Sequence, residues 1–575
     1  MDRCSILSQW RPVIADELFR RYSFLEFYTF DGGGGFVNRA LLGSVESREI
    51  ADLILNRNKL ESFGELPELD FRRYERWRSI EKSCWINRCY FLPALAQVAW
   101  LDSDRQLAEM VKRVMLRFLS SCPPPENIAE HWRRVRHRME YDYNRKTREE
   151  FRLDETDVEY VWYDFQVASR LINFFHALYF IRDLAVFTPE ESGRLRNGLL
   201  THGRVIYEQE THLEYARGNH QSVRQTALLH AAAMAPDVPE YRRWAEFAIE
   251  RAVRHILEDF DEDGSLKEYA PSYHAFETWH GRDDLILAER LGLTIPAEAA
   301  ERIRRAGQVL NAYRRPDGLT LAINDAYPLA PDALLESLGI DLDEPPRHTW
   351  LKDGGLAVFR GKRLYAALDC SAYTGEFSHY HAGKNALVVY AGRQAVIDDP
   401  GCCDYDDPRF RGCKQGDVHS SLLVDGISDG RSFSIYGFDC WPSVRGMGWS
   451  GGRCVSTETS SRPEWCGVRW RRRLDCRDAA LTVTDTVSGG AEHEYTFHFV
   501  LAPEVAAELQ SASELLLTAG RERLKMSFRG DCTVVLEPAV NFQTDPSRET
   551  LRIAVKCKRA LCAELTTVIE RLSAE

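Results

Sequence analysis

Residues 377 to 426 read FSHYHAGKNALVVYAGRQAVIDDPGCCDYDDPRFRGCKQGDVHSSLLVDG. The apolar run Ala386 to Ala391, the turn Gly392-Arg393-Gln394 and the run Ala395 to Ile397 predict a β-hairpin. Asp398 and Asp399 close its second strand, Pro400-Gly401 stop it, and His419 opens a further apolar run. His379 and His381 are two residues apart, so on an extended strand both imidazoles leave the same face. Two histidines and a carboxylate from neighbouring strands suit a borderline metal such as Zn²⁺. Spacing alone leaves a second reading open, in which these are hydrogen-bonded histidines and no more.

Outward from this stretch, the texture after Pro345-Pro346 is of short alternating runs separated by Gly, Asp and Pro, from LKDGGLAVFRGKRLYAALDCSA to LRIAVKCKRALCAELTTVI. Such spacing predicts an antiparallel β-sandwich over residues 346–575. Before it, from about residue 88 to 313, apolar residues recur every three and four positions in segments such as SVRQTALLHAAAMA and RRWAEFAIERAVRHILEDF. Breaks fall at Cys122-Pro123-Pro124-Pro125, Ala235-Pro236-Asp237, Asp263-Gly264 and Pro316-Asp317-Gly318. Residues 1–345 therefore read as a helical domain, a toroid or helical array without a fixed repeat. The chain as a whole is multidomain α+β. The phrase LEFYTFDGGGG near the start has a Gly run but no following Gly-Lys-Ser/Thr, which excludes a phosphate loop.

With 575 residues the chain is too long for one ordinary core, and 44% hydrophobic with 11% aromatic residues marks a globular protein. The net charge of −13 provides no general attraction for nucleic acid or for an anionic polymer. An acidic substrate therefore needs a local cationic cluster, for which Arg217, Arg224, Arg282 and Lys384 are candidates. The first 30 residues contain Asp2, Asp16 and Glu17 and no unbroken apolar segment, so no secretory signal is visible. The expectation is a cytoplasmic protein with no membrane span and no nucleic-acid partner. The 15 cysteines include no CxxC pair, which fits reduced thiols better than a cysteine-based zinc cluster.

Two phrases in the helical region carry further chemistry. In YARGNHQSVRQTALLHAAA, Asn219 and His220 precede a helix expected from about Gln221. The plain role for Asn219 is an N-cap, although a helix N-terminus also favours an anion. In DEDGSLKEYAPSYHAFETWH, Tyr269 and Tyr273 are candidate acids, against the ordinary role of a packed tyrosine with a bonded hydroxyl.

Taken together, these phrases resemble the heparinase II/III-like polysaccharide lyases, a group that includes oligoalginate lyases. The likeness rests on the HxHA start at His379, on Asp399-Pro400-Gly401, on Tyr405-Asp406-Asp407, on VHSSLLVDG, and on the two helical phrases. KDGGLAVFR at 352 to 360 and FHFVLAPE from Phe497 extend it across the β domain. The resemblance implies an (α/α) toroid followed by an antiparallel β-sandwich. It makes Asn219, His220, Tyr273 and His379 catalytic, and His381, Asp399 and His419 the ligands of a structural zinc. Glu268 and Tyr405, within the matching phrases, join Arg217, Arg224 and Lys384 as expected substrate-binding residues. Gly383 departs from the family, which often has Asp there.

The implied reaction is β-elimination on a 4-linked uronate in an acidic polysaccharide or oligosaccharide. A proton next to an ionised carboxylate is poorly acidic, so that charge must be met by donors before a base removes the C5 proton. Asn219 and His220 suit the first of these roles, and His379 or Tyr273 the second, with Tyr273 as acid to the leaving oxygen. A glycoside hydrolase is the rival, with Asp263, Glu268 and Glu277 available as its carboxylates. A non-catalytic carbohydrate-binding or capsule-assembly protein is another, though a pure binder needs no acid and base.

Overall fold

A computed structural model describes residues 86–135 and 158–572, apart from 213, 214, 216, 236, 343, 344, 378, 404–406, 408, 435, 436, 466, 545 and 546. Before them it describes residues 27–30, 36–39, 48, 51, 52 and 66–72. The N-terminal part is helical and the C-terminal part is sheet-rich. The chain divides into two compact units, Met1–Asp259 with Phe276–Ile303, and Phe260–Ala275 with Arg304–Glu575. They are called the helical unit and the sheet unit below.

The helical unit begins with two short paired strands, β1 (Phe27–Phe30) and β2 (Phe36–Arg39). Its helices are α1 (Leu92–Leu101), α2 (Arg105–Ser121), α3 (Phe165–Ile181), α4 (Pro189–Thr211), α5 (Asn219–Ala233) and α6 (Pro239–Asp259). The division between the units falls within α7 (Pro271–Arg290) and α8 (Ala297–Tyr313). All of α3 is buried, as is α5 from Gln221 onward, so these two have no solvent face. A helix closed in on all sides must satisfy its polar residues internally, and α5 does so with Gln225 and Thr226, which both donate to Asp284. No helix among the described residues is long and apolar enough to cross a membrane.

The sheet unit, after the short helix α9 (Asp332–Ser337), is entirely antiparallel. A five-stranded meander joins β3 (His348–Leu351), β4 (Leu356–Arg360), β5 (Leu364–Asp369), β6 (Ala386–Ala391) and β7 (Gln394–Ile397). The expected hairpin is β6 paired with β7. β9 (Arg431–Ser434) pairs with β10 (Gly437–Cys440), and a ten-stranded sheet holds β8 (Leu422–Val424), β11 (Pro442–Ser450), β12 (Arg453–Ser460), β13 (Arg469–Cys476), β14 (Ala480–Val500), β15 (Val505–Ser511), β16 (Glu514–Ala519), β17 (Glu522–Arg529), β18 (Cys532–Asn541) and β19 (Arg548–Arg571). Leu368, Leu387 and Val389 of the first sheet share one buried core with Trp470, Phe497, Phe499 and Ile553 of the second. Two sheets closing on a common core make this a sandwich.

One inward position of β13 is polar. Alternation turns Trp470, Arg472 and Leu474 to the core, and buried Arg472 pairs with buried Asp485 at 2.8 Å. Its guanidinium also donates to the carbonyls of Asn385 and Ser420, at 2.8 and 3.3 Å. A buried charge is tolerable only when paired and fully bonded. Here that requirement fixes the two loops that carry His381 and His419.

In the helical unit an equivalent cluster fixes the entry to α5. Gly218, with φ +88, is its N-cap, and the Gly218 N–H donates to Asp259 at 2.7 Å. Arg217 donates to the other oxygen of Asp259 at 2.6 Å, while His255 lies 2.7 Å from Asp259 and from Glu277. Burial disfavours the imidazolium, but the two carboxylates outweigh it and raise His255 to about 10. With the folded value above the ordinary 6.5, this stabilisation is complete below about pH 6.5 and is lost as pH rises towards about 10. Thermal midpoints measured from pH 6 to 10 should fall, and a His255→Gln variant should show a flatter dependence over that range.

Candidate active site

In the sheet unit, a tight turn at Asp261–Ser265 leads through Glu268 and Tyr269 into the first turn of α7, which carries Tyr273. Glu268 is 2% exposed, and its carboxylate lies 2.8 Å from Nδ1 of His379. A carboxylate accepts, so Nδ1 carries a proton and Nε2 is the ring nitrogen left to act as a base. Tyr273 stacks on His379 with centroids 3.7 Å apart and planes 20° from parallel. Tyr273 and His379, the two side chains expected to share the chemistry in this unit, therefore meet. Glu268, expected at the substrate, is instead the partner of His379. The alternative acid, Tyr269, has its hydroxyl bonded to Thr374 at 3.1 Å and pushed up to about 12 by burial.

The segment from His379 to Asn385 is not a strand, contrary to the expectation that places His379 and His381 on one strand face. It is an irregular loop held by a turn at Asn324 and Asp325. The Asp325 N–H donates to the His379 carbonyl at 3.1 Å, and the His381 N–H donates to Asn324 Oδ1 at 2.9 Å. The His381 ring lies 2.6 Å from Asp325 through Nε2, while Lys414 lies 2.9 Å from the other Asp325 oxygen. Burial opposes the Asp325 charge, yet Lys414 and His381 hold its carboxyl below the ordinary range. Neither Asn324 nor Asp325 stands out in the sequence. The signal is an Asn-Asp pair closing the short apolar run LAINDAY, a common turn-former.

The expected zinc ligands are neighbours, with the rings of His381 and His419 5.5 Å apart and Nδ1 of His419 3.0 Å from Asp399 Oδ2. His419 Nε2 donates to the carbonyl of Cys413 at 2.9 Å, so a neutral His419 turns a lone pair toward the Asp399 carboxylate. Burial disfavours the imidazolium, but the Asp399 carboxylate raises His419 above its ordinary value, so a proton on Nδ1 meets that carboxylate and a bound cation would take its place. His381 Nδ1 is buried without a hydrogen-bond partner, and burial lowers this ring to about 4, leaving it neutral. Asp399 Oδ1 accepts the Gly401 N–H at 2.9 Å. Each of the three side chains thus has its outer atom engaged, which is how metal ligands are oriented. Among the described residues no three such side chains already converge on one point, so the fit rests on this donor set and on the unpartnered Nδ1.

In the helical unit, α5 starts at Asn219 and its cap is Gly218, which overturns the N-cap role considered for Asn219 and the start near Gln221. Asn219 and His220 occupy its first turn. His220 Nδ1 lies 2.7 Å from Asp164, whose other oxygen is bonded to Arg224 at 2.5 Å. Burial opposes the Asp164 charge, but Arg224 and His220 hold its carboxyl well below the ordinary range. Arg224 is buried and also pairs with Glu210.

The remaining candidates are placed as follows. Arg217 is bonded to Asp259, and buried Arg282 to Asp283 at 2.6 Å. Lys384 is 1% exposed and bonded to Asp369 at 2.6 Å and Asn324 at 2.9 Å. Tyr405 lies outside the described residues.

Residues 53–342 match the family model "Heparinase II/III N-terminus" and residues 343–565 match "Heparinase II/III-like, C-terminal". The chain belongs to the heparinase II/III family. Membership places it among the polysaccharide lyases. Curated proteins give no match. A solved heparinase III is similar with a TM-score of 0.70 at 14% identity, over 97% of this chain and 89% of that one. Another heparinase III gives 0.66 at 16%, over 92% and 84%. The heparan sulfate lyase HepC from Pedobacter heparinus gives 0.61 at 15%, over 92% and 83%. At these identities the likeness is one of fold.

Gly383 now has a physical reason. Its φ is +78, and a Cβ there would lie 2.7 Å from Cβ of His419. Gly318, with φ +93 and nothing within 4 Å, is a control for the backbone cost alone, about 1–2 kcal/mol. Gly383→Ala should lower the thermal midpoint clearly more than Gly318→Ala; equal shifts would show that His419 yields freely.

Proposed function

We propose that this protein cleaves a 4-linked, uronate-containing glycan by β-elimination, leaving an unsaturated uronyl end. The observation that carries the reading is the buried Glu268 bonded to His379, with Tyr273 stacked on the same imidazole. His379, held as the Nδ1–H tautomer, offers Nε2 as the base for the C5 proton. Tyr273 donates its hydroxyl proton to the departing C4 oxygen. Asn219 and His220 meet the uronate carboxylate by hydrogen bonding and so stabilise the enolate-like charge. Hydrogen-bond donors suit this role, because Arg217, Arg224 and Lys384 are all bonded to carboxylates. The names of similar solved structures, heparinase III and heparan sulfate lyase, support an acidic polysaccharide as the substrate class. An (α/α) toroid is the helical architecture that this reading implies.

The hydrolase alternative loses its carboxylates. Glu268 is bonded to His379, Glu277 to His255 at 2.7 Å, and Asp263 accepts N–H groups of Ser265 and Asp353 at 2.9 and 2.8 Å.

We further propose that His381, Asp399 and His419 hold one structural zinc. When bound it would replace the proton between His419 and Asp399 and would tie three segments of the sheet unit together. Elemental analysis should find about one zinc per chain, with loss of the metal in His419→Ala; a chain free of stoichiometric metal would contradict this.

The function is tested on a panel of heparan, hyaluronan, chondroitin, alginate and glucuronan oligomers, read by ultraviolet absorbance of the unsaturated product. At least one should give product, and Tyr273→Phe should lower its turnover by about 10²-fold or more with little change in binding. Asn219→Ala should damage turnover on the same substrate while the thermal midpoint moves little, since Gly218 and not Asn219 caps α5. Wild-type turnover in Tyr273→Phe, or loss of Asn219→Ala activity only through unfolding, would remove that residue from the mechanism.

A further inference from the structure

Asn324 is 2% exposed and sits at φ +60, a conformation that Asn adopts more readily than most residues. Its Oδ1 accepts two hydrogen bonds, from the His381 N–H and from Lys384 Nζ, each at 2.9 Å. Its Nδ2 donates to the carbonyl of Tyr269, also at 2.9 Å. Tyr269 itself has φ +64, an uncommon backbone state for an aromatic residue and one that needs outside support. This strained residue lies directly after Glu268 and four residues before Tyr273. On its other side Asn324 grips the loop of His379 and His381, and the next backbone N–H, of Asp325, holds the His379 carbonyl.

We propose that Asn324 is the positioning residue that brings the base and the acid of the reaction into register. Only a carboxamide fits its surroundings, because one end must accept from two donors and the other must donate to a carbonyl. An aspartate satisfies the first demand but turns an oxygen, not a donor, towards the Tyr269 carbonyl. Asp325 acts differently, since its carboxylate orients the His381 ring while only its backbone touches the His379 segment. The adjacent residues therefore divide the work, Asn324 aligning Glu268 and Tyr273 with His379, and Asp325 setting His381. What that alignment accomplishes rests on the lyase reading above.

Three full-length variants test this. Asn324→Asp keeps the acceptor and removes the donor; Asn324→Gly keeps the left-handed backbone and removes the side chain; Asp325→Asn alters the His381 and Lys414 contacts and leaves the Asn324 side chain in place. The readouts are kcat and KM for unsaturated product, the imidazole ¹⁵N shifts of His379, which report its tautomer, and the thermal midpoint. Asn324→Asp should stay folded, lose about 10²-fold in kcat with KM within about twofold, and move the His379 signals. Asn324→Gly should lose at least as much, and Asp325→Asn should leave the His379 signals in place. Wild-type His379 signals in Asn324→Asp, or an equal displacement in Asp325→Asn, would overturn the proposal. If the wild-type protein forms no unsaturated product from any uronate glycan, the lyase reading fails, and the His379 signals in Asn324→Asp still decide the positioning claim.

Discussion

A carboxylate removed from water must find a positive or proton-donating partner, and that requirement organises each histidine to which chemistry is assigned. Glu268 is buried against His379. Three further carboxylates each bridge an imidazole and a permanent cation: Asp164 between His220 and Arg224, Asp325 between His381 and Lys414, and Asp259 between His255 and Arg217. The cation keeps the carboxylate ionised, and the ionised carboxylate fixes a proton on the ring nitrogen that faces it. Removing either partner strands a buried charge, so these units resist drift.

The same logic explains how an acidic protein could handle an acidic substrate. With a net charge of −13 there is no general attraction to rely on. The basic residues picked out in the sequence, Arg217, Arg224, Arg282 and Lys384, are each paired with an aspartate or glutamate. In the proposed mechanism, hydrogen-bond donors at the start of α5 would meet a uronate carboxylate, because their strength depends on placement and not on net charge.

Much of the architecture was legible in the chain. The change from periodicities of three and four to short alternating runs separates helices from strands, and β6 and β7 fall on the hairpin read from Ala386 to Ile397. His379, Tyr273 and Glu268 stood in recognisable phrases. Their pairing was not legible, since Glu268 and His379 are 111 residues apart and no local pattern encodes such a contact. The cap of α5 was misplaced because Asn is a strong capping residue, whereas tertiary bonds from Asp259 make Gly218 the cap. Arg224 and Lys384 look like surface charges in sequence, and only packing shows them buried in ion pairs. Arg472 hides among four arginines of RWRRRLDC, where alternation alone decides that it points inward.

The central claim is that bond cleavage begins with loss of the C5 proton to His379. The most direct measurement uses a uronate oligomer carrying deuterium at C5 and mass analysis of the cleaved product. Complete loss of deuterium from the newly formed uronyl end is the predicted result. A cleaved product that retains its C5 deuterium would contradict elimination and point to hydrolysis.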